Sequence, residues 1–194
     1  ACMPAIRMNR ARRLIASGQT QSALAVLSQL EAGGYDGEEI DRMRLAAAEK
    51  LTAAGRYAEA LSIISALPEN EETQAARQKC LYAQADSLWQ ADDYSGAAQI
   101  FYQLGDYSDS ASRYADCRCA LAVETYMNGD ENGARTLLLS VSDADRHIEA
   151  AVQKAAGSAD TARGLLALDL FNPESLNRME KTAQALTQAR ADRP

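Results

Sequence analysis

The residues best suited to chemistry share one stretch, "FYQLGDYSDSASRYADCRCALA", residues 101–122. Asp106, Ser108 and Ser110 fall at positions 1, 3 and 5 of a calcium loop. Such a loop needs glycine at position 6 and a bidentate glutamate at position 12, where this chain has Ala111 and Cys117. A corner between two helices accounts for the same residues: Gly105 ends one helix, and Ser108 or Asp109 caps the next. The four cysteines, Cys2, Cys80, Cys117 and Cys119, match no zinc spacing. Cys80 and Cys117 lie 37 residues apart, and equal steps back reach Met43 and Ile6. A position that accepts Ile, Met or Cys is a packing position, since buried cysteine behaves as a small hydrophobe. Cys119 turns away from Cys117 around a helix, and His147 is the one histidine in the chain. There is no glycine-rich phosphate loop and no Ser–His–Asp arrangement. The chain is therefore read as non-catalytic, with no cofactor and no metal.

The elements that must position these residues repeat along the chain. "ASGQTQSALAVLSQL", "AAGRYAEALSIISAL", "QADDYSGAAQIFYQL" and "MNGDENGARTLLLSV" align without gaps on Gly18, Gly55, Asp92 and Gly129, each 37 residues after the last. A fifth copy aligns on Gly157, 28 residues further on. Five residues after each reference stands Ala23, Ala60, Ala97, Ala134 or Ala162, and seven before it Ala11, Ala48, Ala85, Ala122 or Ala150. Small residues at two fixed points mean that two helices cross closely there. Around the later alanine runs an apolar stripe at helical spacing, such as Ala60, Ile63, Ile64 and Leu67. The reference residue is the turn, where Gly takes positive φ without steric cost and Asp92 substitutes for it.

The expected fold is all-α: a right-handed α-solenoid of about five helix–turn–helix repeats of period 37, closed by a C-terminal capping helix. The units run over about 5–34, 38–69, 74–106, 109–142 and 144–171, a repeat array of residues 5–171. Residues 172–194 form the cap, with Asn172 as N-cap, Pro173 in the first turn, and an apolar edge of Leu176, Met179, Ala183 and Leu186. Eleven helices are expected in all. The composition agrees, being 47% hydrophobic with much alanine and only 6% aromatic. A net charge of −7 argues against nucleic-acid partners, and the one basic cluster is Arg7, Arg10, Arg12 and Arg13. No stretch is long and apolar enough to cross a bilayer. Residues 1–4 are set apart, because "ACMPAI" followed by arginines fits either the stub of an upstream membrane anchor or simply the start of the segment.

Gly55, Tyr57, Ala60 and Ile64, with Ala48 upstream, resemble the core pattern of tetratricopeptide (TPR) repeats, as do Tyr94, Ala97 and Phe101 with Ala85. The period departs from the usual 34, and the proline that usually closes a unit is missing. "LGDYSDSASRYADCRCALA" is also similar to the "LGDYKDS…C.Y..A" units of bacterial repeat proteins of unassigned function, which often lie outside a single membrane anchor. That second resemblance implies a tethered, envelope-associated domain on the extracytoplasmic side, whereas arginines beside an anchor favour the cytoplasmic side. The TPR resemblance implies that first helices line a concave face. Turn offsets −13, −10, −6 and −3 share one sector of those helices. Tyr82, Trp89 and Tyr126 fall there, beside Arg42, Lys79 and Asp86. These six are the candidate protein-binding groove, since large amphipathic rings anchor protein recognition. The alternative is that Trp89 and Tyr126 pack against a neighbouring helix. The function expected is a scaffold or adaptor holding a peptide or protein segment, as a monomer or weak dimer. The competing expectation is a structural spacer or self-assembly element.

Overall fold

The computed structural model describes residues 3–35, 37–142 and 144–154, with Thr161, Gly164, Leu165, Leu168 and six single residues between 177 and 191. The described residues form nine α-helices and no strand. These are α1 (Met3–Ala16), α2 (Thr20–Ala32), α3 (Glu38–Ala53), α4 (Tyr57–Ser65), α5 (Glu71–Gln90), α6 (Tyr94–Leu104), α7 (Ser110–Met127), α8 (Glu131–Leu139) and α9 (Ala144–Lys154). The capping helix, including Leu176, Met179, Ala183 and Leu186, lies largely outside the described residues.

Each of the first four hairpins turns through a residue in the left-handed region: Gly18 (φ 76°), Gly55 (74°), Asp92 (61°) and Gly129 (88°). Asp92 is the instructive case, because a side chain there is sterically costly. Its carboxylate Oδ1 accepts a hydrogen bond from the Tyr94 hydroxyl at 2.9 Å, which fixes the turn from the next helix. Gly105 also has positive φ (56°), and Asp109 stands at the N-cap position of α7 without a side-chain capping bond. The stretch of residues 105–110 is thus the corner between α6 and α7.

The small residues are what allow the helices to close on each other. Ala23, Ala60, Ala97 and Ala134 on the second helices are fully buried, as are Ala11, Ala48, Ala85 and Ala122 on the first. In one cluster, Met8, Ala11 and Ile15 of α1 meet Val26, Leu27 and Leu30 of α2 and Ile40, Met43 and Ala47 of α3. In the next, Ala48 and Leu51 meet Ala60 and Ile64 of α4 and Ala76 and Cys80 of α5. Each hairpin therefore covers its apolar stripe with the following first helix, as repeat stacking requires. The chain divides into two compact units, Ala1–Gln84 and Ala85–Pro194, and the division falls within α5.

The fifth repeat departs from the sequence alignment. Ala150, expected at the helix crossing, is exposed, while Ile148 and Ala151 are buried. Ala151 stands three residues after Ile148, as Ala11 follows Met8, so α9 presents a register one residue off the alignment on Gly157. The shorter step of 28 residues deprived that alignment of the spacing that anchors the other four. Ala162 and Gly157 lie outside the described residues.

Candidate protein-binding site

The six residues expected to line a groove have different fates. In the second unit, Trp89 is only 9% exposed, and its ring lies 5.1 Å from that of Tyr94 at a tilt of 60°. The Arg113 guanidinium sits over Trp89 at 5.2 Å and over Phe101 at 5.4 Å, and it also pairs with Asp86. Trp89 is thus an internal packing residue, a correction to its place in the groove. Tyr126 is half-buried, and its hydroxyl lies so close to Gly164 that a Cβ there would clash with it. Tyr82 is half-buried too. In the first unit, Arg42 is exposed and bonds Glu38 at 2.7 Å, and exposed Lys79 lies 3.9 Å from Glu49.

The physical reason is that a first helix is covered from two sides. Besides its own second helix it meets the first helix of the next hairpin, as α1 meets α3 and α7 meets α9. Offsets −10 and −3 face that neighbour. Accordingly Met8, Ile15, Trp89 and Cys119 at those offsets are buried, while Arg12, Arg42, Glu49 and Lys79 at other offsets are exposed.

The chemistry candidates are equally internal. Cys117 and Cys119 are fully buried, and burial pushes both thiols up to about 12. The Asp116 carboxylate adds to the rise in both, opposed by Arg113 at Cys117 and by Arg118 at Cys119. A thiol so held is neutral at physiological pH and a poor nucleophile. Asp116 instead meets His147, Oδ1 to Nδ1 at 2.6 Å, across α7 and α9. Among the described residues, no group of three or more His, Cys, Asp or Glu comes together as a metal site. In a Cys2→Ser variant, a colourless thiol reagent at mildly alkaline pH should titrate no cysteine in the native protein and all three after denaturation. Rapid native reaction would contradict this packing.

The first unit contains an open cleft of about 630 Å³ that the groove reasoning did not find, apart from Arg42. It is bounded by the start of α3 (Glu38, Asp41, Arg42, Leu45), the link after α4 (Leu67, Pro68, Asn70) and the start of α5 (Glu71, Glu72, Thr73). A reciprocal cap holds its far wall in place. Thr73 N–H donates to Asn70 Oδ1 at 3.0 Å, Asn70 N–H donates to Thr73 Oγ1 at 2.9 Å, and that hydroxyl donates to Pro68 O at 3.0 Å. Pro68 cannot donate to a continuing helix, so α4 stops and the chain turns into the wall.

Acids gather there because helix N-termini favour them. Four carboxylates line the cleft against one guanidinium. Part of that charge is answered internally, Glu38 by Arg42 and Asp41 by Arg44 at 4.0 Å. Glu71 and Glu72 are exposed and have no ion pair among the described residues. The sequence signal for this site is the acidic run "PENEE" between two repeats, at positions the repeat pattern leaves undefined.

Tight alanine crossings, left-handed turn residues and a stripe covered by the following first helix recur hairpin after hairpin. The fold is TPR-like. No family model matches the chain, and no curated protein matches it. Among solved structures it is similar to a Podosopora anserina protein described as a kinesin light chain with nearly identical TPR-like repeats. The identity is 16%, the TM-score 0.31, and the match covers 98% of this chain and 97% of that one. A variant of the same protein matches at 16% identity and TM-score 0.29, over 98% of this chain and 96% of that one.

Proposed function

We propose that this chain is a non-catalytic protein-interaction scaffold whose first unit holds an extended segment of a partner protein. The observation that carries the reading is the cleft between α3 and α5, which is lined by apolar and acidic side chains together. Leu45 and Leu67 offer apolar contact, and Glu71 and Glu72 offer carboxylates to a lysine or arginine. The occupant is a basic segment with an apolar residue beside the cation. Tyr82, Lys79 and Arg42 belong to the same unit and remain candidates for flanking contacts, with Arg42 on the rim itself.

Two fluorescent peptides test this, one of Lys, Leu and Pro and one in which Glu replaces Lys. The basic peptide should bind and the acidic one should not. Glu71→Lys together with Glu72→Lys should weaken binding about ten-fold or more, as removal of paired charges at a protein contact does. Equal binding of both peptides, or indifference to the double substitution, would overturn the cleft as the site.

A further inference from the structure

We infer that the face of the second unit built by α6, α7 and α8 docks an acidic segment of a partner protein, one with apolar residues on either side of a carboxylate. The observation is a surface position whose residue type changes between hairpins. Ten residues after each turn stand Ser28, Ser65, Tyr102 and Leu139, on α2, α4, α6 and α8 in turn. Ser28, Ser65, Tyr102 and Leu139 are all exposed, so the repeat has no packing use for this position. Serine is the kind of residue such a surface position takes. Tyr102 and Leu139 are instead the two most exposed large apolar side chains among the described residues, at 73% and 67%.

Contacts through α7 join the two positions. The Tyr102 ring lies 5.5 Å from that of half-buried Tyr114 on α7, at a tilt of 47°. Arg118 stands four residues further along α7, on the same face as Tyr114. Its Nε and Nη2 both donate to Ser140 Oγ, at 3.1 and 2.7 Å, and Ser140 follows Leu139 in the chain. The strip is thus an aromatic pair, a cation and a leucine. Its charge specifies the occupant. Arg118 meets no carboxylate among the described residues. Its equivalent in the second hairpin, Arg44, bonds the Glu31 carboxylate of the preceding helix α2 at 2.6 and 3.1 Å. Where Glu31 stands in the first hairpin, the third has Gly105. The Ser140 hydroxyl, which itself donates to Leu137 O at 2.6 Å, brings no charge to answer the guanidinium. A carboxylate from outside, with apolar residues for Tyr102 and Leu139, completes the set.

A second copy laid symmetrically on this face would oppose Arg118 to Arg118. Anionic membranes are held by clusters of basic residues, whereas this strip offers one guanidinium in a chain of net charge −7. The occupant is accordingly a protein segment. Its site is separate from the acidic cleft of the first unit, which calls for the opposite charge.

The test uses a fluorescent peptide in which Phe, Glu and Leu alternate with serines, so that an extended chain presents all three on one face. A counterpart carries Gln for Glu, and vesicles of mixed phosphatidylserine and phosphatidylcholine form a third arm. The whole chain should bind the glutamate peptide about ten-fold tighter than the glutamine peptide, as a charge-assisted contact does. Arg118→Gln should erase that preference. Tyr102→Ser with Leu139→Ser should weaken binding about ten-fold or more, as loss of apolar anchors does. These substitutions install the serine that the first two hairpins carry at the same position, so thermal unfolding should be little changed, and Leu139→Ser alone provides an independent variant. Equal binding of the two peptides, indifference to the serine substitutions, or binding of vesicles in place of the peptide would each overturn the proposal. So would a dimer in sedimentation that the serine substitutions dissolve, since the face would then belong to a second copy. Glu71→Lys with Glu72→Lys should leave this binding intact, which separates its fate from that of the cleft.

Discussion

Phe101→Ala should destabilise the second unit by about 3–5 kcal/mol, the usual cost of emptying a buried aromatic site. Phe101 is fully buried on α6 and lies under the Arg113 guanidinium. Native domains hold only about 5–15 kcal/mol in total, so the variant should be partly unfolded at modest temperature. The neighbouring residue is the control. Tyr102 is 73% exposed and touches the Tyr114 ring at 5.5 Å, so Tyr102→Ala should cost less than about 1 kcal/mol. Urea unfolding followed by fluorescence reads the second unit directly, because Trp89, the chain's one tryptophan, lies within it. Similar losses from the two variants would mean that α6 buries the other face.

That contrast was legible in the sequence, because two adjacent aromatics on one helix cannot both face the stripe. The alanines at the crossings were legible for a related reason. A close backbone approach admits one kind of residue, so its periodicity survives in any reading of the chain. The turns were legible because only a few residues tolerate the left-handed region, and even Asp92 announced itself by standing where glycine stands elsewhere. The fifth hairpin was not, since a step of 28 residues gives no fixed offset and alanines at both 150 and 151 satisfy the pattern.

The sites were less legible than the fold. An amphipathic ring at a first-helix position reads alike whether it meets a ligand or the neighbouring helix. Trp89 was decided by Arg113, a residue on another helix whose repeat equivalents, Glu39 and Ala76, are not arginines. The cleft was hidden for the opposite reason: its walls come from helix starts and a link, where the repeat imposes nothing. The α1 face lay between these cases. Ile6 matched its equivalents in sequence, and its exposure against the burial of Met43, Cys80 and Cys117 set it apart.

Asp86→Ala should cost more than Arg113→Met, although both delete the same ion pair. Asp86 is 46% exposed and loses little by leaving, but its removal strands a guanidinium that is only 20% exposed between Trp89 and Phe101. Arg113 Nε is already buried without a hydrogen-bond partner among the described residues. What then remains to the cation is the two aromatic faces, worth about 0.5–2 kcal/mol, against the cost of keeping the charge out of water. With solvent screening of the half-exposed acid, the expected loss for Asp86→Ala is about 1–2 kcal/mol. Arg113→Met removes the charge and leaves an apolar chain to fill the gap between the rings, so it should cost less than about 1 kcal/mol. In the Arg113→Met background, Asp86→Ala should become nearly silent, and a double-mutant cycle by urea unfolding measures that coupling. The ranking also distinguishes two roles for Arg113. If the pair itself stabilised the unit, both single variants would lose the same amount. If the aromatic stack carried the arginine, Arg113→Met would be the costlier change. Only a cation tolerated because Asp86 stands beside it gives the expected order, and equal or inverted losses would reject that account.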